Sequence, residues 1–411
     1  MNRILHVIAQ KPGYTGSGIY LQGLMDEAAK KSYAQALVAG FSQYDILDDF
    51  YFPSDLEVFP VFFEGEDLPF PVVGMSDVMP YVSTRYRDLT PAMYLLWKES
   101  FTKAIKEALV RFKPEVIFTH HLWLLSALVK ELAGRVPVIA FSHGTDLRQL
   151  VLAPQYAEIA KVACSKIDKV VALNAWQAEE IASVYNIARD DLMVGGVGFN
   201  PAIFYPPLER RKNNLVKLIY AGKLSYAKGV KSLLAACEML YKDVPDFELL
   251  LLGSGDGNEK DDLMSMMEEC SFSLSALGAV SQKELGEVFR QGDIFVLPSF
   301  YEGLPLVVLE ALASGLRVVV SDLSGLKPWL GDLINESGLI TFVSLPNLLY
   351  LDQPVAEELG SFERDLKEAI LFQMNQLFLS GSQFSKEIEQ AISRFSWAGL
   401  FKGLENLFLS L

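Results

Sequence analysis

The sequence predicts two doubly wound α/β domains, each a parallel sheet covered by helices on both faces. Three observations lead there. Short, continuous apolar runs recur with stretches of helical periodicity between them. The alternation breaks near residue 205, in a segment rich in proline and charge, and then starts again. The chain, at 411 residues, is long enough for two such domains. Continuous apolar strands separated by helices are the pattern of βαβ units, whose right-handed crossovers bury a sheet on both sides and give a Rossmann-like domain.

In the first domain, strands are expected at 3–9, 35–39, 116–119, 136–141, 169–173 and 191–194. Helical patterns such as 20–31, 93–111 and 122–132 lie between them. Segment 50–91 departs from the alternation; it is rich in aromatics and proline and carries Arg85 and Arg87. It fits a functional loop, and equally a surface excursion packed by its own aromatics. The run Asn200-Pro201-Ala202-Ile203-Phe204-Tyr205-Pro206-Pro207 and the charged 209–214 read as a linker. Beyond it, strands at 216–220, 247–252, 293–297 and 317–320 alternate with helices at 229–240, 261–269, 282–290 and 305–313. Two further helical patterns follow Ser361. The expected domains are 1–205 and 206–395, facing each other across a cleft, the usual place for a ligand.

A formal net charge of −15 with no Lys/Arg-dense segment argues against a nucleic-acid binder and against a polybasic membrane-surface protein. Three dispersed cysteines, Cys164, Cys237 and Cys270, show neither a disulfide framework nor zinc-ligand spacing. The apolar run 4–9 is too short for a signal-peptide core, and no transmembrane run of about 18 residues is present. A soluble cytoplasmic protein is the expectation.

The most informative stretch runs from Ser299 to Glu310. A buried strand leads into a small loop with Glu302, and a helix opening near Pro305 carries Glu310. Glu310 sits among Val307, Val308, Leu309, Ala311 and Leu312. A carboxylate there is costly to bury unless it accepts hydrogen bonds, and a ribose diol is a suitable donor pair. Gly303 permits close backbone approach, and proline suits the first helical turn. The N–H groups of Gly303, Leu304 and Leu306 are then available to sugar or phosphate oxygens. Upstream, Lys223 and Lys228 bracket a strand–turn–helix start at the carboxyl edge of the second sheet. Two ammonium groups there could neutralise a diphosphate leaving group; a solvated surface pair is the plain alternative.

In the first domain, Gly13-Tyr14-Thr15-Gly16-Ser17-Gly18 follows the first strand. It can cradle phosphates or simply turn tightly; it is neither a GxGxxG fingerprint nor a Walker loop. Strand 136–141 ends in Ser142-His143-Gly144-Thr145-Asp146, which places His143 over the cleft or leaves it satisfied by local backbone. His120 and His121 end the preceding strand, without a ligand set for a metal.

Together these segments resemble the retaining nucleotide-sugar glycosyltransferases of family 4, which have the GT-B fold. The resemblance covers essentially the whole chain, and its most specific piece is Glu302 through Glu310, similar to the family's E-x7-E motif. It implies that Lys223 and Lys228 grip the donor diphosphate, with lysine where the first position is often arginine. It implies Glu302, Gly303 and Leu304 at the transferred sugar, Glu310 on the ribose and Val280 beside the base. Gly16, Ser17 and Gly18 would close on the phosphates, His143 would lie near the reaction centre, and helix 396–411 would cross back onto the first domain. The implied reaction moves a sugar from a nucleoside diphosphate, UDP by family frequency, to an acceptor hydroxyl with retention. No metal and no cofactor beyond the nucleotide-sugar are implied. The acceptor is open among sugar, glycan, lipid-linked and protein; Arg85, Asp146 and Arg148 are its candidate contacts, and a site peripheral to the membrane is compatible. Oligomeric state is open. A nucleotide-sugar epimerase and a non-catalytic partner subunit with the same fold are the alternative readings.

Overall fold

The computed structural model describes residues 2–208, 215–255, 257–302, 304–350, 352–380 and 384–411. The chain divides into two compact units, Met1–Gly198 with Trp397–Leu411, and Phe199–Ser396.

Strands of the first unit are β1 (Arg3–Ile8), β2 (Ala34–Ser42), β3 (Glu57–Phe63), β4 (Val73–Gly74), β5 (Thr84–Arg85), β6 (Val116–His120), β7 (Val138–Phe141), β8 (Lys169–Ala172) and β9 (Leu192–Val194). They are joined by α1 (Gly16–Lys30), α2 (Pro91–Arg111), α3 (Leu124–Leu132), α4 (Thr145–Leu152), α5 (Pro154–Cys164) and α6 (Ala175–Tyr185). Seven of the strands form one sheet in the order β3-β2-β1-β6-β7-β8-β9, parallel throughout. β4 and β5 pair separately.

The central strand shows why its sequence is apolar without alternation. Leu5 and Val7 pack with Trp97 and Phe101 of α2. Ile8, on the opposite face, packs with Leu21 and Met25 of α1. Both faces of this period-two strand are covered, so both are apolar save for His6, which is buried and hydrogen-bonded to Gln35 at 3.0 Å.

β3 lies inside segment 50–91, which the sequence alone reads as irregular. Pro60 explains the misreading, since it has no N–H for a ladder. It is tolerated because β3 is an edge strand, paired only with β2 in the register Ala39↔Pro60.

The second unit has β10 (Val216–Ala221), β11 (Phe247–Leu252), β12 (Ser273–Gly278), β13 (Ile294–Leu297), β14 (Arg317–Ser321) and β15 (Ile340–Val343), then the hairpin β16 (Leu348–Tyr350) and β17 (Gln353–Pro354). Its helices are α7 (Val230–Asp243), α8 (Gly257–Glu268), α9 (Gln282–Phe289), α10 (Leu306–Ala313), α11 (Leu326–Leu330), α12 (Asp332–Asn335), α13 (Ala356–Ser380) and α14 (Lys386–Ser393). Its sheet is parallel, in the order β12-β11-β10-β13-β14-β15. The two strands absent from the expected set, β12 and β15, are its edges. β12 is largely exposed and reads Ser-Leu-Ser-Ala-Leu-Gly, without the continuous apolar run of an inner strand.

The units divide at Gly198/Phe199, upstream of the expected break at 205/206. Residues 199–204 belong with α9: Phe204 packs on Phe289 at 6.1 Å and Arg290 Nη1 donates to Ile203 O at 2.7 Å. Phe199 also bridges Ser396, which draws both crossing points together within the second unit.

The last helix, α15 (Trp397–Leu409), belongs to the first unit. It lies on α1 so closely that a Cβ on Gly23 would meet the Trp397 ring at 2.4 Å. Phe408 packs against Tyr33 at 5.8 Å and Phe118 at 5.7 Å, and Tyr33 donates to Glu405 at 2.8 Å. Among the described residues three helices therefore follow residue 355, where two helical patterns were expected after Ser361. Among the described residues no helix is long and apolar enough to cross a membrane.

The Gly23–Trp397 contact gives a packing prediction. Trp397→Ala should cost about 3–5 kcal/mol, and Gly23→Ala about 1–3 kcal/mol by overpacking. The double variant should cost clearly less than the two singles combined, because the small residue at 397 makes room for the new methyl. Denaturant midpoints of the four proteins check this; strict additivity would disprove the contact's dominance.

Candidate functional site

In a parallel sheet every strand ends on the same edge, and each unit gathers its polar side chains there. In the second unit, β10 leads into the turn that carries Lys223 and Lys228. Tyr220 Oη donates to Lys223 O at 2.7 Å, and Gly222 N donates to Leu252 O at 2.9 Å. Gly229 caps α7 with φ 68°, and a Cβ there would sit 2.0 Å from Pro298 O. Only glycine allows that approach, which presses the β10 turn against the loop after β13.

The approach brings two sequence-selected residues together. Lys228 Nζ lies 2.7 Å from Glu302 Oε2 and donates to Tyr301 O at 3.2 Å. The other carboxylate oxygen of Glu302 accepts from Ser299 Oγ at 2.9 Å. Lys228 and Glu302 are half-buried, whereas Lys223 is exposed. Gly303 lies outside the described residues. α10 begins at Leu306, with Pro305 as its cap and not its first helical residue. The N–H groups of Leu304, Leu306 and Val307 have no acceptor among the described residues. They form the positive end of a short helix, as donors that an anion or hydroxyl could use.

Glu310, one turn into α10, is 4% exposed. Among the described residues its carboxylate has one polar contact, Gln282 Nε2, at 3.4 Å from Oε1. Burial pushes its carboxyl up from the ordinary 4.5 to about 8. Gln282 opens α9 directly after Val280 and the capping residue Ser281, so it joins the half-buried Val280 to Glu310. The sequence reading passed over Gln282. The capping box Ser281–Glu284 fixed the helix start, and an amide at the next position was its available signal.

In the first unit, Gly16, Ser17 and Gly18 form the first turn of α1, not a free loop. Thr15 caps the helix by accepting from Gly18 N at 3.2 Å. Gln10, another residue the sequence reading passed over, braces the start by donating to Thr15 Oγ1 at 2.7 Å and Ser17 Oγ at 2.9 Å. A Cβ on Gly18 would meet Gly13 N at 2.4 Å, while Gly16 faces open space.

His143 follows β7. His120 ends β6 and His121 follows it, and both rings touch His143: His120–His143 centroids are 5.4 Å apart and His121–His143 4.8 Å. Burial, which strips water from the charged form, pushes all three imidazoles down, that of His121 to about 3, so the neutral form is favoured at physiological pH. His121 adopts the left-handed region (φ 70°), sparsely populated for such a residue, and its N–H donates to Phe141 O at 2.9 Å.

Asp146 corrects one expectation. Proposed as an acceptor contact, it is fully buried. Its carboxylate accepts from Leu122 N at 2.9 Å, Ser142 Oγ at 3.0 Å and His143 N at 3.3 Å. A carboxylate used this way holds the β6 and β7 loops together and is not available to a ligand. Arg85 is paired with Asp88 at 2.5 Å and Arg87 with Asp77 at 2.8 Å, while Arg148 is exposed on α4.

Residues 61–201 match the family described as Glycosyltransferase Family 4, and residues 207–343 match Glycosyl transferases group 1. The chain belongs to glycosyltransferase family 4. This family-4 chain is 30% identical to the D-inositol 3-phosphate glycosyltransferase of Paenarthrobacter aurescens over 40% of its own length and 43% of that protein's. It spans about half the length of the curated relatives it matches. Its fold is that of GT-B glycosyltransferases. Sucrose-phosphate synthase from Thermosynechococcus elongatus superposes with a TM-score of 0.70 at 16% identity, over 100% of this chain and 99% of that one. Anabaena HepE, solved with UDP and glucose, gives 0.66 at 14% identity over the full length of both.

The buried carboxyl of Glu310 makes stability depend on pH. Its folded-state value lies above its ordinary one, so the folded chain keeps a proton that the unfolded chain gives up between pH 4.5 and about 8. Stability should fall through that window by at most about 1.4 kcal/mol per pH unit from this group. Glu310→Gln removes the titration. The variant should match the parent near pH 5 and exceed it by on the order of a few kcal/mol near pH 8. Chemical denaturation at both pH values checks this; parallel pH profiles would refute it.

Proposed function

We propose that this chain is a glycosyltransferase that moves a sugar from a nucleoside-diphosphate sugar, most simply a UDP-sugar, to an acceptor hydroxyl with retention of configuration. The observation that carries this reading is Glu310. A carboxylate buried on an apolar helix, with one long amide contact, is matched by a ligand bearing two adjacent hydroxyls. The names of the relatives and the UDP and glucose held by Anabaena HepE support the same class of substrate. The second unit would bind the nucleotide: Glu310 accepting from the ribose hydroxyls, Val280 beside the base, Lys223 and Lys228 on the diphosphate. The N–H groups of Leu304 and Leu306, with Gly303, would serve the oxygens of phosphate or sugar, and Glu302 would accept from sugar hydroxyls. In the first unit, His143 would meet the transferred sugar and the first turn of α1, Gly16 to Gly18, would meet phosphate. That unit would also bind the acceptor, with Arg148 as a remaining contact.

In the proposed reaction the bond from the anomeric carbon to the diphosphate oxygen breaks. The acceptor hydroxyl attacks from the same face, and the departing diphosphate oxygen takes its proton. The protein supplies cations and donors at the leaving group and no covalent nucleophile. The reaction so drawn needs no divalent metal.

Isothermal titration of UDP and steady-state turnover separate the roles. Glu310→Ala should weaken UDP binding by about tenfold or more, since hydrogen bonds to a charged group contribute roughly 1.5–3 kcal/mol. His143→Ala should leave UDP affinity within about twofold and lower kcat by about a hundredfold. Equal loss of affinity in both variants would sink this division. At pH 7 the parent should also release a proton on binding UDP, because the ribose hydroxyls favour the ionised carboxylate. Titrations in buffers of different ionisation heat would show it, and Glu310→Gln should abolish it.

A further inference from the structure

All four histidines of the chain lie in the first unit, and His120 and His143 are joined ring to ring. His120 is 1% exposed and stacks on Phe141 with centroids 5.2 Å apart. Its Nδ1 lies 3.1 Å from Nε2 of His143, and the two rings are nearly coplanar, at 10°. The backbone of His143 is fixed separately by Asp146, which also holds the loop after His120. Tyr20 packs edge-on against His143 at 5.1 Å. Nε2 of His143 is thus used inside the protein. Its Nδ1 has no partner among the described residues and is not closed off from solvent, so Nδ1 is the nitrogen that reaches solvent.

The remaining nitrogen of His120, Nε2, is buried with no partner among the described residues. Two neutral rings share one N–H between them. If that proton sat on His143, His120 would carry its own on Nε2, as a buried donor with no acceptor. Orphaned buried N–H groups are the rarer kind of unpaired polar group. With the shared proton on Nδ1 of His120, the orphan is a lone pair, and His143 carries its proton outward.

We propose that His120 is a positioning residue. It donates from Nδ1 to Nε2 of His143 and fixes the tautomer in which His143 presents an Nδ1–H donor to the ligand. His143 then donates to a sugar hydroxyl or phosphate oxygen and is not the base for the acceptor's proton. The ligand's identity rests on the function proposed above; the ring pairing does not.

The test is nitrogen NMR of the histidine rings in the parent, His120→Phe and His120→Asn, with His143 assigned by its loss in His143→Ala. The parent should show His143 protonated at Nδ1. His120→Phe keeps a flat ring on Phe141 but removes the donor, so the His143 ring signals should move. Its kcat with a UDP-sugar should fall roughly 10- to 100-fold with donor KM within about twofold. His120→Asn, whose amide N–H can replace Nδ1–H, should recover most of the loss. Protonation of His143 at Nε2 in the parent would overturn the proposal, as would identical His143 signals in the parent and His120→Phe. Ring signals that move without any change in turnover would support the pairing and overturn the role given to His143.

Discussion

Parallel strand pairing is the constraint from which the rest follows. Strands that all run one way must end on one edge, and the chain must leave each of them through a loop into a helix. In the first unit that edge receives Gln10, His120, His121 and His143; in the second it receives Lys223, Lys228 and Glu302. None of these residues is close to all its neighbours in sequence. They are gathered because β1, β6 and β7, or β10 and β13, are adjacent in their sheets.

The two units solve the burial of polar groups differently. In the first, the buried carboxylate of Asp146 is satisfied by three backbone N–H groups and a hydroxyl, and serves as a fastener between loops. In the second, Glu310 is left with one long amide contact, and burial raises its proton affinity. A satisfied buried carboxylate strengthens the scaffold. An unsatisfied one lowers stability and holds interaction energy in reserve for a partner.

Inner strands were legible because burial on both faces leaves an unbroken apolar run, as in β1, β10 and β13. Of the four edge strands only β9, expected at 191–194, was legible. β3 carries a proline, β12 interrupts its leucines with two serines, and β15 is broken by Thr341 and only half-buried at its two middle residues. The site showed the same asymmetry. Glu302, Glu310, Lys223, Lys228 and His143 stand out by residue type beside a strand end. Gln282 and Gln10 do not, because their value lies in what they touch from another element. Asp146 was noticed but misassigned, since nothing in the sequence distinguishes a carboxylate pointing outward from one that accepts four inward hydrogen bonds. The Lys228–Glu302 pair was likewise invisible as a pair, because it depends on Gly229 lying against Pro298.

The chain passes from the first unit to the second at 198/199 and returns at 396/397. On a ribosome, the second unit can finish as a continuous piece while the first still lacks a wall. About two hundred residues separate Gly198 from the end of α15, roughly ten to forty seconds of synthesis. Through that interval the faces of Tyr20, Gly23, Tyr33 and Phe118 that α15 covers stay open to water and to other nascent chains. The first unit is begun first and sealed last. Its period of greatest risk in the cell is therefore set by translation speed, and a ribosomal pause on the codons between Gly198 and α15 would lengthen it.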